Sequence, residues 1–234
     1  MVRHGFRKWL CSMGALLLLL MVAAGGVMAE LPLEVRAQNG MVAAAHPLAA
    51  EVGIEILKAG GNAVDAAVAT AFAIGVVEPN ASGLGGEGMF VVYMPEGDKA
   101  GVIDYRSTSP AAAAEALADS RMPSTGWPSV ATPGLVAGLA SALEQYGTMT
   151  LEQVLQPAIR LAEEGFAIGA ALAQCIEDRY EIILKDPVLS TTFLDDGLPP
   201  LEGWVLVNAG LASSLKKIAA EGPDAFYHGE IAQA

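Results

Sequence analysis

Cysteine, histidine and positive charge are all scarce in this 234-residue chain, and each scarcity removes a class of function. Of the two cysteines, Cys11 lies in an apolar leader, so Cys175 would stand alone once that leader is removed and no internal disulfide could form. The helical pattern around Cys175, beside Ile176, marks it as a buried or half-buried thiol rather than a nucleophile. The histidines are His4, His46 and His228, and no carboxylate or cysteine stands at metal-ligand spacing around the latter two, so no metal site is expected. With no Gly-x-Ser-x-Gly elbow and two distant histidines, the sequence also offers nothing on which to build a serine triad.

Basic residues number 13 against 26 acidic ones. Three of the basic ones, Arg3, Arg7 and Lys8, precede the apolar run Leu10 to Met28, and Val27-Met28-Ala29 supplies small residues at a cleavage position. Residues 1–29 therefore read as a secretory signal peptide, with an uncleaved membrane anchor as the competing reading. Its removal leaves 10 basic against 26 acidic side chains, a formal charge of −16. Such a field argues against nucleic acid and anionic lipid as partners, and an anionic substrate would need a specific cation to meet it. The expected location is periplasmic or secreted, with membrane attachment only if the leader stays.

What is abundant is apolar surface: 53% of residues are hydrophobic and 17% charged, enough for one substantial domain over residues 30–234 with a real core. The apolar run Met41 to Ala45 reads as a buried strand feeding a helix with Pro47 in its first turn. Leu48, Val52, Ile56 and Ala59 make a helical stripe that Gly60-Gly61 ends. Asn62 is the expected N-cap of an almost wholly apolar helix, Ala63 to Val77, with Asp65 serving the free amides of its first turn. Met89 to Met94 and Gly101 to Tyr105 flank Pro95-Glu96-Gly97-Asp98 as an antiparallel hairpin.

Further on, Pro110 to Ala118 reads as helical, and Thr132 before Pro133 reads as the N-cap of a helix to about Tyr146. Thr150 with Gln153 forms a capping-box pattern for a helix through Glu164 that ends at Gly165. Ala171 to Leu184 reads as another helix, Asp195 to Gly203 as a turn-rich connection, and Asn208 as the cap of a helix to about Ala220. The order predicts a mixed α/β (α+β) fold with helices against a largely antiparallel sheet. No internal repeat is present, and the run toward Ala234 reads as mid-helix, which predicts an incomplete domain.

Two segments invite a functional reading. The loop Gly83-Leu84-Gly85-Gly86-Glu87-Gly88 has the glycine content of a phosphate cradle, but a helix enters it and a strand leaves it, the reverse of such sites, and no Lys-Ser/Thr pair follows. A tight backbone passage beneath a site is the expected role, and no nucleotide or other cofactor is expected. Arg106 ends the second hairpin strand, where its planar guanidinium could make paired hydrogen bonds to a substrate carboxylate or, alternatively, a structural ion pair with an acid such as Asp104.

The segments GGNAVDAAVA from Gly60, NASGLGGEG from Asn80 and DYRSTSP from Asp104 resemble the γ-glutamyltransferase (γ-glutamyl transpeptidase, glutathione hydrolase) family, amino-terminal part of the large subunit. So do ATPGLVAGLASALEQYGTM from Ala131, QPAIRLAEEGF from Gln156 and EGPDAFYHGEIA near the end. The resemblance implies an N-terminal nucleophile hydrolase αββα sandwich, incomplete in this chain, made as a precursor that cuts itself into large and small subunits. It implies cleavage of γ-glutamyl amides such as glutathione, with transfer of the γ-glutamyl group through a threonine ester to water or to an amino acid or peptide. It also implies that Arg106, in the DYR motif, holds the donor α-carboxylate. The family's nucleophilic threonine lies beyond the part matched here, so no catalytic residue is expected within residues 1–234 and the isolated chain is expected to be inactive. Thr191-Thr192 does not supply it, because Phe193 stands where the family's Thr-Thr-His segment has histidine. The alternative is a non-catalytic binding or scaffold remnant of the fold.

Overall fold

The helix at the centre of the structure is the one whose sequence is apolar almost all round. A computed structural model describes residues 34–111, 113, 126 and 129–233, and the elements below all belong to the compact unit from Gly40 onward. The leader, and most of the Pro110–Ala118 segment, lie outside the described residues. Helix α1 (Pro47–Lys58) opens with Pro47 in its first turn and with His46 Nδ1 accepting the Leu48 amide. Gly60, at φ +96°, provides the left-handed exit that a side chain would resist.

Helix α2 (Ala63–Val77) buries Val64, Val68, Phe72 and Val76, each at 2% exposure or less. An element buried on nearly all sides needs neighbours on nearly all sides, and three other helices supply them. These are α1, α3 (Leu135–Tyr146) and α4 (Leu151–Glu164), while α8 (Ala209–Glu221) packs on α4. Leu139, Leu155, Leu215 and Ile218 fill the spaces between them. Each fully buried side chain of this size contributes roughly 1.5–3 kcal/mol relative to exposure.

Asn62 and Asp65 form the reciprocal capping box that their spacing predicts. The pair also reaches across the fold. Asn62 Nδ2 donates to the Tyr146 carbonyl at 2.7 Å, and Asp65, wholly buried, accepts the Thr148 and Met149 amides at 2.9 and 3.1 Å and the Thr148 hydroxyl at 2.6 Å. One capping motif thus fixes the turn that joins α3 to α4. Burial would by itself raise the Asp65 pKa, but the hydroxyl of Thr148 and the amides of Asn62, Thr148 and Met149 outweigh it and hold the carboxyl below its ordinary range.

Strands β1 (Gly88–Met94) and β2 (Lys99–Tyr105) form the expected hairpin in a register that sets Met89 opposite Asp104 and Val91 opposite Val102. One face packs on α3 through Phe90, Val92, Ile103 and Tyr105. The other face presents Met89, Val91, Tyr93 and Val102 to solvent at 56–73% exposure. A second two-stranded pair, β3 (Phe166–Ala167) with β4 (Val205–Leu206), fastens the end of α4 to the start of α8.

Four local expectations need correction. Met41 to Ala45 alternates in exposure residue by residue with none of the five buried, and it is not a strand, because no neighbouring chain among the described residues pairs with it. The N-cap of α3 is Gly134 rather than Thr132, whose amide and carbonyl are both taken by an antiparallel bridge to Thr108. The single helix expected over Ala171–Leu184 breaks at Arg179 into α5 (Ala170–Asp178) and α6 (Tyr180–Ile183). A helix α7 (Pro187–Phe193) that the sequence reading passed over follows Asp186, whose carboxylate caps the Val188 and Leu189 amides. Two short helices, α9 (Asp224–Tyr227) and α10 (Glu230–Gln233), end the described chain.

Candidate functional site

Arg106 leaves the end of β2 on a backbone pinned at every neighbouring residue. Tyr105 lies against α3 so closely that a Cβ on Gly138 would come within 2.2 Å of the Tyr105 Cβ, and one on Gly134 within 2.2 Å of the Tyr105 carbonyl oxygen. Only residues without a side chain allow that approach. The Arg106 amide donates to Asp104 Oδ1 at 3.1 Å, and Thr108 exchanges two backbone hydrogen bonds with Thr132, at 3.1 and 2.8 Å. Burial pushes the Tyr105 phenol pKa up.

The glycine loop is tied by hydrogen bonds to α3 and to Ser107. The Gly86 amide donates to the Gly83 carbonyl at 2.9 Å, and the Leu135 amide donates to the Gly86 carbonyl at 3.1 Å, so the loop is stitched to the first turn of α3. A helix enters the loop and a strand leaves it, as the sequence implied. From the next residue Glu87 Oε2 accepts the Ser107 amide at 2.6 Å and the Ser107 hydroxyl at 2.5 Å. The Ser107 hydroxyl, then its amide, hold the Glu87 carboxyl below its ordinary range against a small opposing effect of burial, with the Arg106 charge adding to the lowering. Glu87 and Ser107 were not singled out from the sequence. The available signal was the one charged residue inside a glycine run.

The Arg106 side chain is exposed. The ion pairs among the described residues are Glu34–Arg36, Glu55–Arg160, Glu163–Lys216 and Glu230–Lys217, and Arg106 is in none of them. Asp104, the acid offered by the alternative reading, meets the backbone amide of Arg106 and not its guanidinium. By exposure Arg106 continues the outward alternation of Val102 and Asp104, which sets it at the rim of the exposed apolar face of the hairpin.

Other candidates lie elsewhere. Thr191 and Thr192 sit in α7 with their hydroxyls donating to the carbonyls of Pro187 and Val188 in their own helix. Cys175 is half-buried, accepts from Asn80 Nδ2 at 3.6 Å and lines an apolar cavity of about 340 Å³ whose walls do not include Arg106. Among the described residues, no three His, Cys, Asp or Glu side chains converge as metal ligands would. No helix among them is long and apolar enough to cross a membrane.

Comparison with known proteins gives this arrangement its setting. The sequence pattern of the family described as Gamma-glutamyltranspeptidase matches residues 49–234. The chain is 42% identical over 205 residues to the glutathione hydrolase proenzyme of Bacillus subtilis, covering 84% of this chain and 35% of that protein. It is 43% identical over 209 residues to the Acylase ACY 1 proenzyme of a Pseudomonas species, with 84% and 37% covered. The crystal structure of Helicobacter pylori γ-glutamyltranspeptidase superimposes with a TM-score of 0.77 at 33% identity, over 86% of this chain and 59% of that one. The mixed α/β architecture is therefore a portion of the N-terminal nucleophile hydrolase fold that the motifs implied. The chain spans little more than a third of the length of these curated relatives, and it belongs to the γ-glutamyltranspeptidase family.

Proposed function

We propose that this chain is the donor-anchoring part of a γ-glutamyltransferase or glutathione hydrolase large subunit. In this reading it works with a small subunit from the same precursor that brings the threonine nucleophile. Arg106 receives the α-carboxylate of a γ-glutamyl donor such as glutathione, and the threonine attacks the γ-amide to form an acyl-enzyme that water or an amino acid or peptide then resolves. The role of Arg106 is to position rather than to make bonds. The observation that carries the reading is a guanidinium with no acidic partner among the described residues, on a fully pinned backbone, at the edge of an exposed apolar sheet face.

The apolar face supports the second half. Met89, Val91, Tyr93 and Val102 form a patch of the kind that soluble proteins seldom leave uncovered, and the segment Met41–Ala45 pairs with no strand among the described residues. A small subunit adding strands and a second sheet would satisfy both. In this reading residues 1–29 direct export, and the assembled protein works in the periplasm or outside the cell, anchored to the membrane only if the leader is retained.

A second reading comes from the acylase relative, which is as similar as the glutathione hydrolases. One experiment separates the two. In the complete gene product, Arg106→Ala is expected to raise KM for a γ-glutamyl anilide by about 10–100-fold, the worth of a lost bidentate charge pair, with Arg106→Lys recovering only part of it. An acyl donor lacking an α-carboxylate should be indifferent to both substitutions. Unchanged KM for the γ-glutamyl donor would refute the anchor role.

A further inference from the structure

We propose that Glu87 is a positioning residue for Arg106, clamping the chain immediately beyond it through the amide and hydroxyl of Ser107. The proposal rests on the reading of Arg106 as the donor anchor. An anchoring guanidinium at the end of a strand loses its value if the backbone that carries it can swing, since a misplacement of about 1 Å can cost on the order of a hundredfold. On its amino-terminal side Arg106 is held by the Asp104 carboxylate and by the packing of Tyr105 against Gly134 and Gly138. On its carboxy-terminal side the nearest holding group is Glu87, 20 residues earlier in sequence, with both Ser107 donors on one oxygen at 2.6 and 2.5 Å.

The geometry also explains why an acid can stand next to a site meant for an anion. Both short bonds converge on Glu87 Oε2, which turns that oxygen to Ser107, and among the described residues Glu87 and Arg106 form no ion pair although the Arg106 charge is felt at the carboxylate. The guanidinium stays available to a ligand. The residue needed at position 87 is an acceptor with enough reach, and its charge is a cost to anion binding. That separates a positioning role from an electrostatic one, because glutamine keeps the acceptor and removes the charge.

The test uses the complete gene product and compares the parent with Glu87→Ala, Glu87→Gln, Ser107→Ala and Arg106→Ala. Steady-state kinetics on a γ-glutamyl anilide is paired with amide hydrogen exchange at Ser107. Glu87→Ala is expected to raise KM about tenfold with kcat within about twofold, and to speed Ser107 exchange at least tenfold while amides in the buried helix Ala63–Val77 keep their protection. Glu87→Gln should return KM to the parent value or below it and restore the protection. Ser107→Ala, which keeps the amide bond, should raise KM about threefold.

If Arg106→Ala raises KM and Glu87→Ala does not, the positioning role is wrong although the anchor stands. Should glutamine behave like alanine, the role is electrostatic and the proposal also falls. If Arg106→Ala leaves KM unchanged, the anchor reading itself has failed and Glu87 has nothing to position, whatever Ser107 exchange shows.

Discussion

Asp65 and Arg106 both lie in motifs that carry the family resemblance, and the structure treats their charges in opposite ways. Asp65 is fully buried and saturated, with its two oxygens accepting four donors from Asn62, Thr148 and Met149. Arg106 is exposed, and no acidic side chain among the described residues pairs with it. A buried charge must be satisfied within the fold, since leaving it unpaired costs several kcal/mol. A binding charge must be left unsatisfied until its ligand arrives, and the surrounding fold does the holding instead. The first charge therefore organises structure, and the second is organised by it.

The comparison breaks most visibly at Asp65. Asp65→Ala would strand two amides and a hydroxyl at the α3–α4 turn and one amide at the start of α2, and is expected to destabilise the protein by about 3–5 kcal/mol in thermal or urea denaturation. Arg106→Ala should change stability by no more than about 0.5 kcal/mol. Acid sharpens the contrast. Because the folded-state pKa of Asp65 is depressed, its contribution is fully present above the unfolded value, near 3.8, and disappears as pH falls through the lower folded value. Asp65→Asn should therefore flatten the acid limb of the stability profile, and a parent-like acid limb in that variant would show that the limb does not come from the ionisation of Asp65.

Between these extremes lies the packing that links helix α3 to the arm. A Cβ at position 138 would fall 2.2–2.5 Å from three atoms of Tyr105, in a place where neither helix nor strand can give way cheaply. Gly138→Ala is expected to cost about 1–3 kcal/mol, despite alanine's better helix propensity, and to displace Tyr105 and Arg106 with it. The signature is a stability loss joined to a rise in donor KM. A stability loss alone would mean that the tyrosine can shift without moving the arginine.

Much of this was legible from residue pattern, and the failures have physical causes. The capping box at Asn62, the tight turn that joins the hairpin strands and the Thr150 cap depend on neighbours within four residues, which sequence displays directly, and the short hairpin loop brings its own partner strand with it. Met41–Ala45 failed because strand formation depends on a partner, and no periodicity reveals whether one is present. The break at Arg179 leaves no glycine or proline behind it to read. Arg106 was visible as a cation in a motif. What holds it was not, because Glu87 to Ser107 and Tyr105 to Gly138 are contacts between elements far apart in sequence.

The mildest test bears on what capping residues reveal. Thr150 and Thr132 look equally good as N-caps in sequence, yet Thr150 accepts the Gln153 amide at 3.2 Å within a complete capping box, whereas the amide and carbonyl of Thr132 bridge to Thr108 and its side chain caps nothing. Thr150→Ala should accordingly cost about 1 kcal/mol, the usual worth of such a cap, and Thr132→Ala no more than a few tenths. Equal losses in calorimetry would mean that the Thr132 hydroxyl serves the strand end near Arg106 in solution. The pinned arm would then have one more anchor than the hydrogen bonds of Asp104, Ser107 and Thr108 provide.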